Sequence, residues 1–200
     1  MLRKTVFAVI LLTFAAVAQA GVIYDNLGSV TSGSDSLSIL GPPLFDSFST
    51  GAGGFTLADV KLLLSGTSDG ASLTVGLYGD NATSPGTLLT QIGSLSDTSL
   101  SGTLTVFDFP LASSYALAPN TRYWVVLNTN NGSSAYWAWS SDQTAIGVAG
   151  EYLGHGTNVF SNTGGPYQMR LSDLSVPEPS TLLLALICGG VFVARRRIAR

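Results

Sequence analysis

The feature that most constrains this chain is a two-residue alternation of apolar and polar side chains in its central part, residues 21–176. Within Ser72–Asp80, for example, Leu73, Val75 and Leu77 alternate with Thr, Gly and Tyr residues. Successive side chains of a β-strand point to opposite faces of a sheet, so the three apolar residues would share one face. No segment of this part keeps the 3.6-residue apolar period of a helix. The pattern therefore predicts β-structure.

The same alternation predicts strands at six places in the chain. These strands are Phe55–Gly66, Ser72–Asp80, Thr103–Pro110, Thr121–Thr129, Ser134–Ser141 and Tyr167–Leu174. Loops rich in turn residues are predicted at Ser68-Asp69-Gly70, Ser84-Pro85-Gly86 and Ala118-Pro119-Asn120. Asn131-Gly132 is the strongest hairpin signal and predicts a tight turn between the fourth and fifth strands. About eight to ten short strands of this kind predict an all-β fold, an antiparallel β-sandwich with a jelly-roll-like arrangement.

Large apolar residues of these segments form the predicted core. They are Leu44, Phe45, Phe48, Phe55, Leu62, Leu64, Val75, Leu77, Phe107, Phe109, Tyr123, Val125 and Leu127. The one cysteine of the chain, Cys188, lies outside the central part. Packing without a disulfide would therefore have to hold this domain together.

The first twenty residues, 1–20, have the pattern of a cleaved signal peptide. Arg3-Lys4 precedes the apolar run Val6–Val17, and Ala18-Gln19-Ala20 supplies a small-x-small cleavage site before Gly21. The export machinery and a signal peptidase are the partners that such a segment predicts.

The tail, residues 176–200, combines a proline motif, an apolar run and a basic cluster. Pro177-Glu178-Pro179 fixes backbone angles that exclude a helix at that point. The uncharged run Thr181–Ala194 follows, and Arg195-Arg196-Arg197 closes it. A helix of that length spans about 21 Å, against about 30 Å for a hydrocarbon core. The pattern predicts a short C-terminal transmembrane helix whose arginines stop translocation on the cytoplasmic side.

The part between the two ends is acidic. Residues 21–176 contain three Lys or Arg against eleven Asp or Glu, which gives a net charge of −8. Such a surface repels polyanions, so we predict that nucleic acid is not a partner.

The order of proline motif, apolar run and arginine cluster resembles the PEP-CTERM sorting signal of Gram-negative bacteria. The resemblance implies that the tail is the substrate of an exosortase, a membrane-embedded and cysteine-dependent processing enzyme. It also implies that the protein passes through the inner membrane to the cell surface or the extracellular matrix of a biofilm. In that setting an exopolysaccharide is a candidate partner. The alternative is an ordinary tail anchor behind a proline-rich linker.

The central part resembles the choice-of-anchor R domain, which occurs joined to different surface-attachment signals. The resemblance lies in the segments YDNLGSV from Tyr24, FDSFSTGAGGFTLADVKLLLS from Phe45, LTVGLYGDNATSPGTLLTQIGSLSD from Leu73 and LAPNTRYWVVL from Leu117. It implies a cell-surface β-sandwich over residues 21–175 and brings no catalytic residue with it.

Groups that could catalyse a reaction are sparse. His155 is the only histidine of the chain and lies between two glycines, where a loop or strand end is expected, and Glu151 is the only glutamate of the exported part. A catalytic triad needs a base beside a nucleophile, and glycoside hydrolysis needs two carboxylates about 5–9 Å apart. No pattern places such a partner beside either residue. We therefore predict a protein that is not an enzyme and has no catalytic residues.

No metal site and no cofactor are predicted. Zinc needs about four nitrogen or sulfur ligands, which the exported part does not supply. Calcium remains an alternative, because aspartates in loops could provide oxygen ligands. These aspartates are Asp25, Asp35, Asp46, Asp69, Asp80, Asp97, Asp108 and Asp142.

Trp137 and Trp139 stand two residues apart in a predicted strand and would point to the same face, about 6.6–7 Å from each other. Such a pair could stack on sugar rings, or it could lie in the core, as tryptophans usually do, which is the interpretation that we favour. The favoured function is accordingly that of a structural or adhesive component of the cell surface or matrix. The alternative is a carbohydrate-binding module that recognises a matrix polysaccharide.

Overall fold

The computed structural model describes residues 21–67, 69–130 and 133–174, and only the backbone of Leu40. This part of the chain is built almost entirely of strands. They are β1 (Val22–Asp25), β2 (Gly33–Ser36), β3 (Leu44–Ser49), β4 (Phe55–Gly66), β5 (Ser72–Asp80), β6 (Pro85–Ser96), β7 (Thr105–Leu117), β8 (Arg122–Thr129), β9 (Ala135–Trp139), β10 (Tyr152–His155), β11 (Asn158–Ser161) and β12 (Met169–Asp173). A four-residue helix, α1 (Leu37–Leu40), follows β2, and 3₁₀ turns lie at Asp97–Ser99 and Asn162–Gly164.

The strands form two antiparallel sheets. In the first sheet, β4 pairs with β7 along one edge, and along the other edge it pairs with β12 and then with β9. β1 extends this sheet from β12, and β2 extends it from β9. The second sheet has the order β11-β10-β3-β8-β5-β6. The prediction of an all-β antiparallel fold is confirmed.

One apolar core lies between the facing sides of the two sheets. The first sheet contributes Leu62 and Leu64, and the second contributes Val75, Leu77 and other alternating residues, each fully buried. The predicted one-sided alternation of β5 is therefore confirmed. Because each sheet covers the apolar side of the other, strand pairing and core packing depend on one another.

Most of the predicted core residues are in this core, with three differences. Phe55 and Phe107 are only partly buried against it. Phe45 points the other way: it joins a separate cluster with Trp124 and Val126 on the outer side of the second sheet. The prediction placed the neighbours Leu44 and Phe45 in one core, but adjacent residues of a strand face opposite sides of the sheet.

The predicted hairpin at Asn131-Gly132 is wrong. The two residues lie outside the described part, but the strands on either side of them belong to different sheets. β8 pairs with β3 and β5 in the second sheet, and β9 pairs with β4 and β2 in the first. The chain crosses between the two sheets here, because the strands that pair with β8 and with β9 are far away in sequence. A local turn signal carries no information about those neighbours.

The predicted loop at Ser84-Pro85-Gly86 is also partly wrong, since β6 begins at Pro85. β6 is an edge strand, where a proline at the first position removes no required ladder hydrogen bond. The tight turn lies just before it, where the backbone N–H groups of Asn81 and Ser84 each donate to the carbonyl oxygen of the other residue. The loop at Ala118-Pro119-Asn120 is confirmed.

The predicted signal peptide and the predicted tail helix lie outside the described residues. Among the helices of the described part, none has the length and apolar character needed to cross a bilayer.

A pair of glycine substitutions would test the close packing of β10 against its neighbours. A Cβ atom at Gly154 would overlap the carbonyl oxygen of Asn158 and the ring of Phe45, whereas a Cβ atom at Gly102 would meet nothing within 4 Å. We expect Gly154→Ala to lower the free energy of unfolding by about 1–3 kcal/mol, and Gly102→Ala to change it by less than about 0.5 kcal/mol. Urea unfolding followed by tryptophan fluorescence would measure both. Equal stability of the two variants would contradict the packing described here.

Candidate functional site

Of the two tryptophans of the predicted sugar platform, one lies in the domain interior and the other is partly buried against the core. Trp137 is fully buried, its ring stacks on Tyr167 with 4.7 Å between centroids, and its Nε1 donates to the carbonyl oxygen of Gln168 at 3.0 Å. Trp139 packs against the core from the same side, with Gly33 and Gly165 so close that a Cβ on either would overlap the indole. A platform of two open indoles is therefore not formed, because Trp137 is fully buried, while Trp139 is partly buried. Both rings lie on the face of β9 that meets the opposite sheet, and Trp139 stands at the end of the strand, where the cover is incomplete.

The two residues considered for hydrolysis, Glu151 and His155, have different surroundings in the structure. Glu151 is buried, and its Oε2 accepts hydrogen bonds from Ser47 Oγ at 2.6 Å and Arg122 Nε at 2.9 Å. The Arg122 guanidinium also lies over the Tyr152 ring at 4.8 Å. His155 ends β10, as expected for a strand-end residue, and its ring lies 5.7 Å from that of Phe160. The Ser47 hydroxyl that donates to Glu151 is itself fully buried. His155 Nδ1 is buried and has no hydrogen-bond partner among the described residues.

Most of the aspartates considered as calcium ligands lie apart from one another, and each makes its own local contact. Asp25 and Asp108 pair with Arg170 and Lys61, and Asp80 accepts from the Trp124 indole at 2.8 Å. Asp35 accepts from the Tyr167 hydroxyl, and Asp142 caps its own loop. Within the described residues no three histidine, cysteine, aspartate or glutamate side chains gather in a group that could hold a metal ion.

Asp97 organises one end of the sandwich. It is fully buried, and its carboxylate accepts the backbone N–H groups of Asp69, Gly70 and Ala71 at 3.0–3.2 Å and the Ser133 hydroxyl at 3.3 Å. Hydrogen bonding around Asp69, which involves the Asp97 side chain and the Ser134 backbone N–H at 2.8 Å, holds the pKa of Asp69 below its usual range. Both side-chain oxygens of Asp97 accept hydrogen bonds from the turn before β5. The predicted loop at residues 69–70 is therefore held by a residue that is distant in sequence.

A second buried carboxylate, Asp46, is not satisfied in this way. It is fully buried in β3, and its Oδ2 accepts the Tyr167 backbone N–H at 2.6 Å, but its Oδ1 has no hydrogen-bond partner among the described residues. Burial raises the pKa of Asp46 well above its usual range, and the nearby Glu151 adds to the rise. Burial also raises the pKa of the neighbouring Tyr24. The sequence carried one signal for this site: Asp46 occupies an inward position between Leu44 and Phe48, where an apolar residue is expected.

The outer side of the second sheet carries a shallow groove. Its volume is about 340 Å³, and its walls include Phe45, Tyr78, Asn128, Thr157 and Val159. Among the described residues, no charged side chain lines it. Beneath it, the ring of Phe45 meets that of Trp124 edge to face at 5.6 Å between centroids. Nothing in the sequence pattern predicts this groove, because its residues come from strands that are neighbours in the sheet but far apart in the chain.

The described part of the β-sandwich ends at Leu174. The segment that follows it matches a known family model. Residues 175–198 match the PEP-CTERM protein-sorting motif. The predicted motif Pro177-Glu178-Pro179 and the cluster Arg195-Arg196-Arg197 both fall within the match. The chain thus carries the sorting signal of exported proteins that are processed by an exosortase. No curated protein matches the chain.

Two ion pairs allow a matched test of Glu151 as a structural residue. Glu151→Ala would leave Arg122 and Ser47 without their acceptor in a buried position. We expect a loss of about 2–4 kcal/mol in the free energy of unfolding. Asp108→Ala breaks a pair on the surface, where the Asp108 side chain is 52% exposed, and should cost at most about 1 kcal/mol. Chemical unfolding of both variants would compare them, and a Glu151→Ala protein as stable as the Asp108→Ala protein would refute the structural role.

Proposed function

We propose that this protein is a non-enzymatic structural or adhesive component of the cell surface or extracellular matrix, delivered by its sorting tail. The observation that carries the proposal is the PEP-CTERM motif at residues 175–198, which directly follows an acidic all-β domain. A bacterium of the Gram-negative, exopolysaccharide-producing type is the proposed setting. The proposal includes a choice-of-anchor R type of domain with jelly-roll-like connectivity.

The chemistry of the described polar residues supports a binding or structural role. Glu151 is engaged by Arg122 and Ser47, and Asp97 by the turn that it caps. An acid or base that works on a substrate must keep an atom free to reach it. Groups that are already bonded and buried stabilise a fold instead.

The proposed route of delivery is sequential. The leader, with cleavage between Ala20 and Gly21, starts export, and the apolar run with Arg195-Arg196-Arg197 halts it, because guanidinium groups cross lipid at high cost. Pro177-Glu178-Pro179 then remains outside as an extended segment that a processing enzyme can bind, since proline prevents helix formation there.

Neutralising the arginine cluster tests this route. We expect the triple substitution Arg195→Gln, Arg196→Gln and Arg197→Gln to abolish tail processing, because nothing then holds the motif at the membrane surface. Arg200→Gln is the control, since Arg200 lies beyond the matched residues 175–198. The mass of the mature chain in the native host would report both ends. Unchanged trimming in the triple variant would overturn the proposed route.

A second candidate function is binding of a neutral polysaccharide in the groove on the second sheet. The observation that favours it is the lining: Tyr78 offers an aromatic face, while Asn128 and Thr157 offer neutral hydrogen-bonding groups with no carboxylate among them. Apolar sugar faces need a rigid flat surface with polar groups around it.

Tyr78→Ala would remove the aromatic face of the groove. We expect it to weaken retention of the protein on exopolysaccharide from the native host at least about tenfold, the equivalent of about 1.4 kcal/mol. Tyr136→Ala is the matched control, since Tyr136 is a tyrosine of similar intermediate exposure in the first sheet. If wild-type protein is not retained, or if both variants bind as well as wild type, the second candidate is eliminated while the proposed sorting route is unaffected.

A further inference from the structure

The shallow groove on the outer side of the second sheet continues past Tyr78 toward the edge strand β6. A second depression, with a volume of about 110 Å³, lies beside the first and shares Tyr78, Val126 and Asn128 with it. Leu88 and Gln91 of β6 line this second depression. The two parts together make one groove, here called the outer groove, which leads from β6 to the loop between β10 and β11.

The floor of the outer groove follows a single row of paired residues that crosses the six strands of the second sheet. Neighbours in this row stand directly opposite each other in adjacent strands, so the row runs across the strands and not along them. From β6 to β11 the row consists of Gln91, Gly76, Val126, Phe45, Gly154 and Val159. Neighbouring strands lie about 4.8 Å apart, which gives the row a length of about 24 Å. An extended ligand could therefore lie across the whole sheet.

The ring of Tyr78 is held in place where the two parts of the groove meet. A Cβ atom at Gly76 would come within 2.8 Å of Tyr78 Cε2 and within 2.9 Å of Leu88 Cδ1. The ring thus occupies the space that a side chain at position 76 would fill. Tyr78 also packs against the outer cluster around Trp124, yet it is only half-buried. The ring is therefore fixed by its neighbours and still open to a ligand.

Neutral polar side chains lie along the outer groove beside this apolar floor. Thr74 and Gln91 line the smaller part, Ser84 and Thr157 line the larger part, and Asn128 lines both. Amide and hydroxyl side chains of this kind donate and accept hydrogen bonds, as sugar hydroxyls do. Within the described part of the chain, no charged side chain lines either part, although the domain is acidic. The surrounding charge repels an anionic ligand, and a cationic one would meet no carboxylate in the groove. The occupant that fits this lining is neutral.

One wall of the larger part follows a turn with an unusual backbone. Ala82 and Thr83, between β5 and β6, have φ angles of 49° and 75°. Positive φ is rare for a β-branched residue, because its side chain crowds the backbone. Such conformations persist only where the surrounding structure holds them, and they cluster at ligand-binding surfaces. Ser84 and Pro85, which come directly after this turn, line the groove.

We propose that the outer groove binds an extended chain of several neutral sugar units, laid across the strands of the second sheet, and that Gly76 positions Tyr78 for stacking. This inference rests on the second candidate function, the binding of a neutral polysaccharide, and adds the mode of binding. The Tyr78 ring contacts the apolar face of one unit. The polar side chains on either side of it bind hydroxyl groups of the units before and after. Because these contacts are spread along the sheet, affinity depends on the length of the chain.

The test measures how affinity changes with the length of the sugar chain. Exopolysaccharide from the native host is separated into neutral and anionic fractions, and the neutral fraction is partly hydrolysed and sorted by size. The full chain, purified in a detergent without a sugar headgroup, is titrated with each fraction in a calorimeter. We expect neutral fragments long enough to cross the sheet to bind at least about tenfold more tightly than fragments of one or two units.

A pair of glycine substitutions on β5 tests the positioning of Tyr78. In Gly76→Ala the new Cβ atom displaces the Tyr78 ring, which should lower the affinity for long fragments about tenfold. Urea unfolding should change little, because a side chain on the surface of the sheet gives way and the backbone does not. Gly79→Ala is the matched control, since its Cβ atom would only touch Leu89 at 3.9 Å, and it should bind like wild type. Equal affinity of the two folded variants overturns the role of Gly76.

Two further variants test whether one chain reaches both ends of the outer groove, and they decide the proposal even if Gly76→Ala fails to fold. Gln91→Ala and Thr157→Ala each remove a polar group from one end. Each should weaken the binding of long fragments at least about threefold. Ser113→Ala, which removes an exposed hydroxyl from β7 in the first sheet, is the control and should bind like wild type. If either end variant binds long fragments like wild type, the chain does not cross the sheet and the proposal is overturned.

The failure of this inference and the failure of the second candidate function give different results. If intact polysaccharide is not retained by the wild-type protein, both fail. If it is retained but short fragments bind as tightly as long ones, only the extended mode of binding fails. Tighter binding of the anionic fraction, or binding of a peptide of residues 175–180 in place of the neutral fragments, identifies another occupant and overturns the proposal.

Discussion

The folded domain depends on one constraint, the mutual burial of the apolar sides of two antiparallel sheets. Neither sheet could be stable alone with its inward face in water, and the domain contains no cysteine that could form a disulfide. The long strand β4 is central to this arrangement. It carries Leu57, Val60, Leu62 and Leu64 into the core and pairs with three other strands.

Polar groups inside such a core need hydrogen-bond partners, and the buried carboxyl groups of this domain obtain them in different ways. Asp97 is satisfied by backbone N–H groups of one turn, and Glu151 by an arginine and a serine. Asp46 is satisfied on one oxygen only. In a low-dielectric interior these differences are energetically large. Burial accordingly raises the pKa of Asp46 well above its usual range.

Delivery and molecular role are encoded in different parts of the chain. The sorting motif is a short linear pattern read in order, whereas any binding by the domain depends on surfaces such as the groove lined by Tyr78 and Asn128. In the sequence, an aromatic pair two residues apart is consistent with a binding surface or with the core. Only the fold shows which way the pair faces. Trp137 and Trp139 face inward, and the sheet side that remains open presents a tyrosine instead.

The sequence by itself determined the class of fold, the bounds of β4 and β5, and the sorting motif, because alternation and linear motifs are local properties of a chain. It also identified most of the core, including Leu62, Val75 and Leu127. Only the tertiary structure decided that β8 and β9 lie in different sheets, that Phe45 faces outward, and that Asp46 is buried and accepts the Tyr167 N–H. Those facts depend on pairings between residues far apart in the chain, such as Asp46 with Tyr167, which are 121 positions apart. The free energy of such contacts comes from the assembled core and leaves no periodic trace in the sequence.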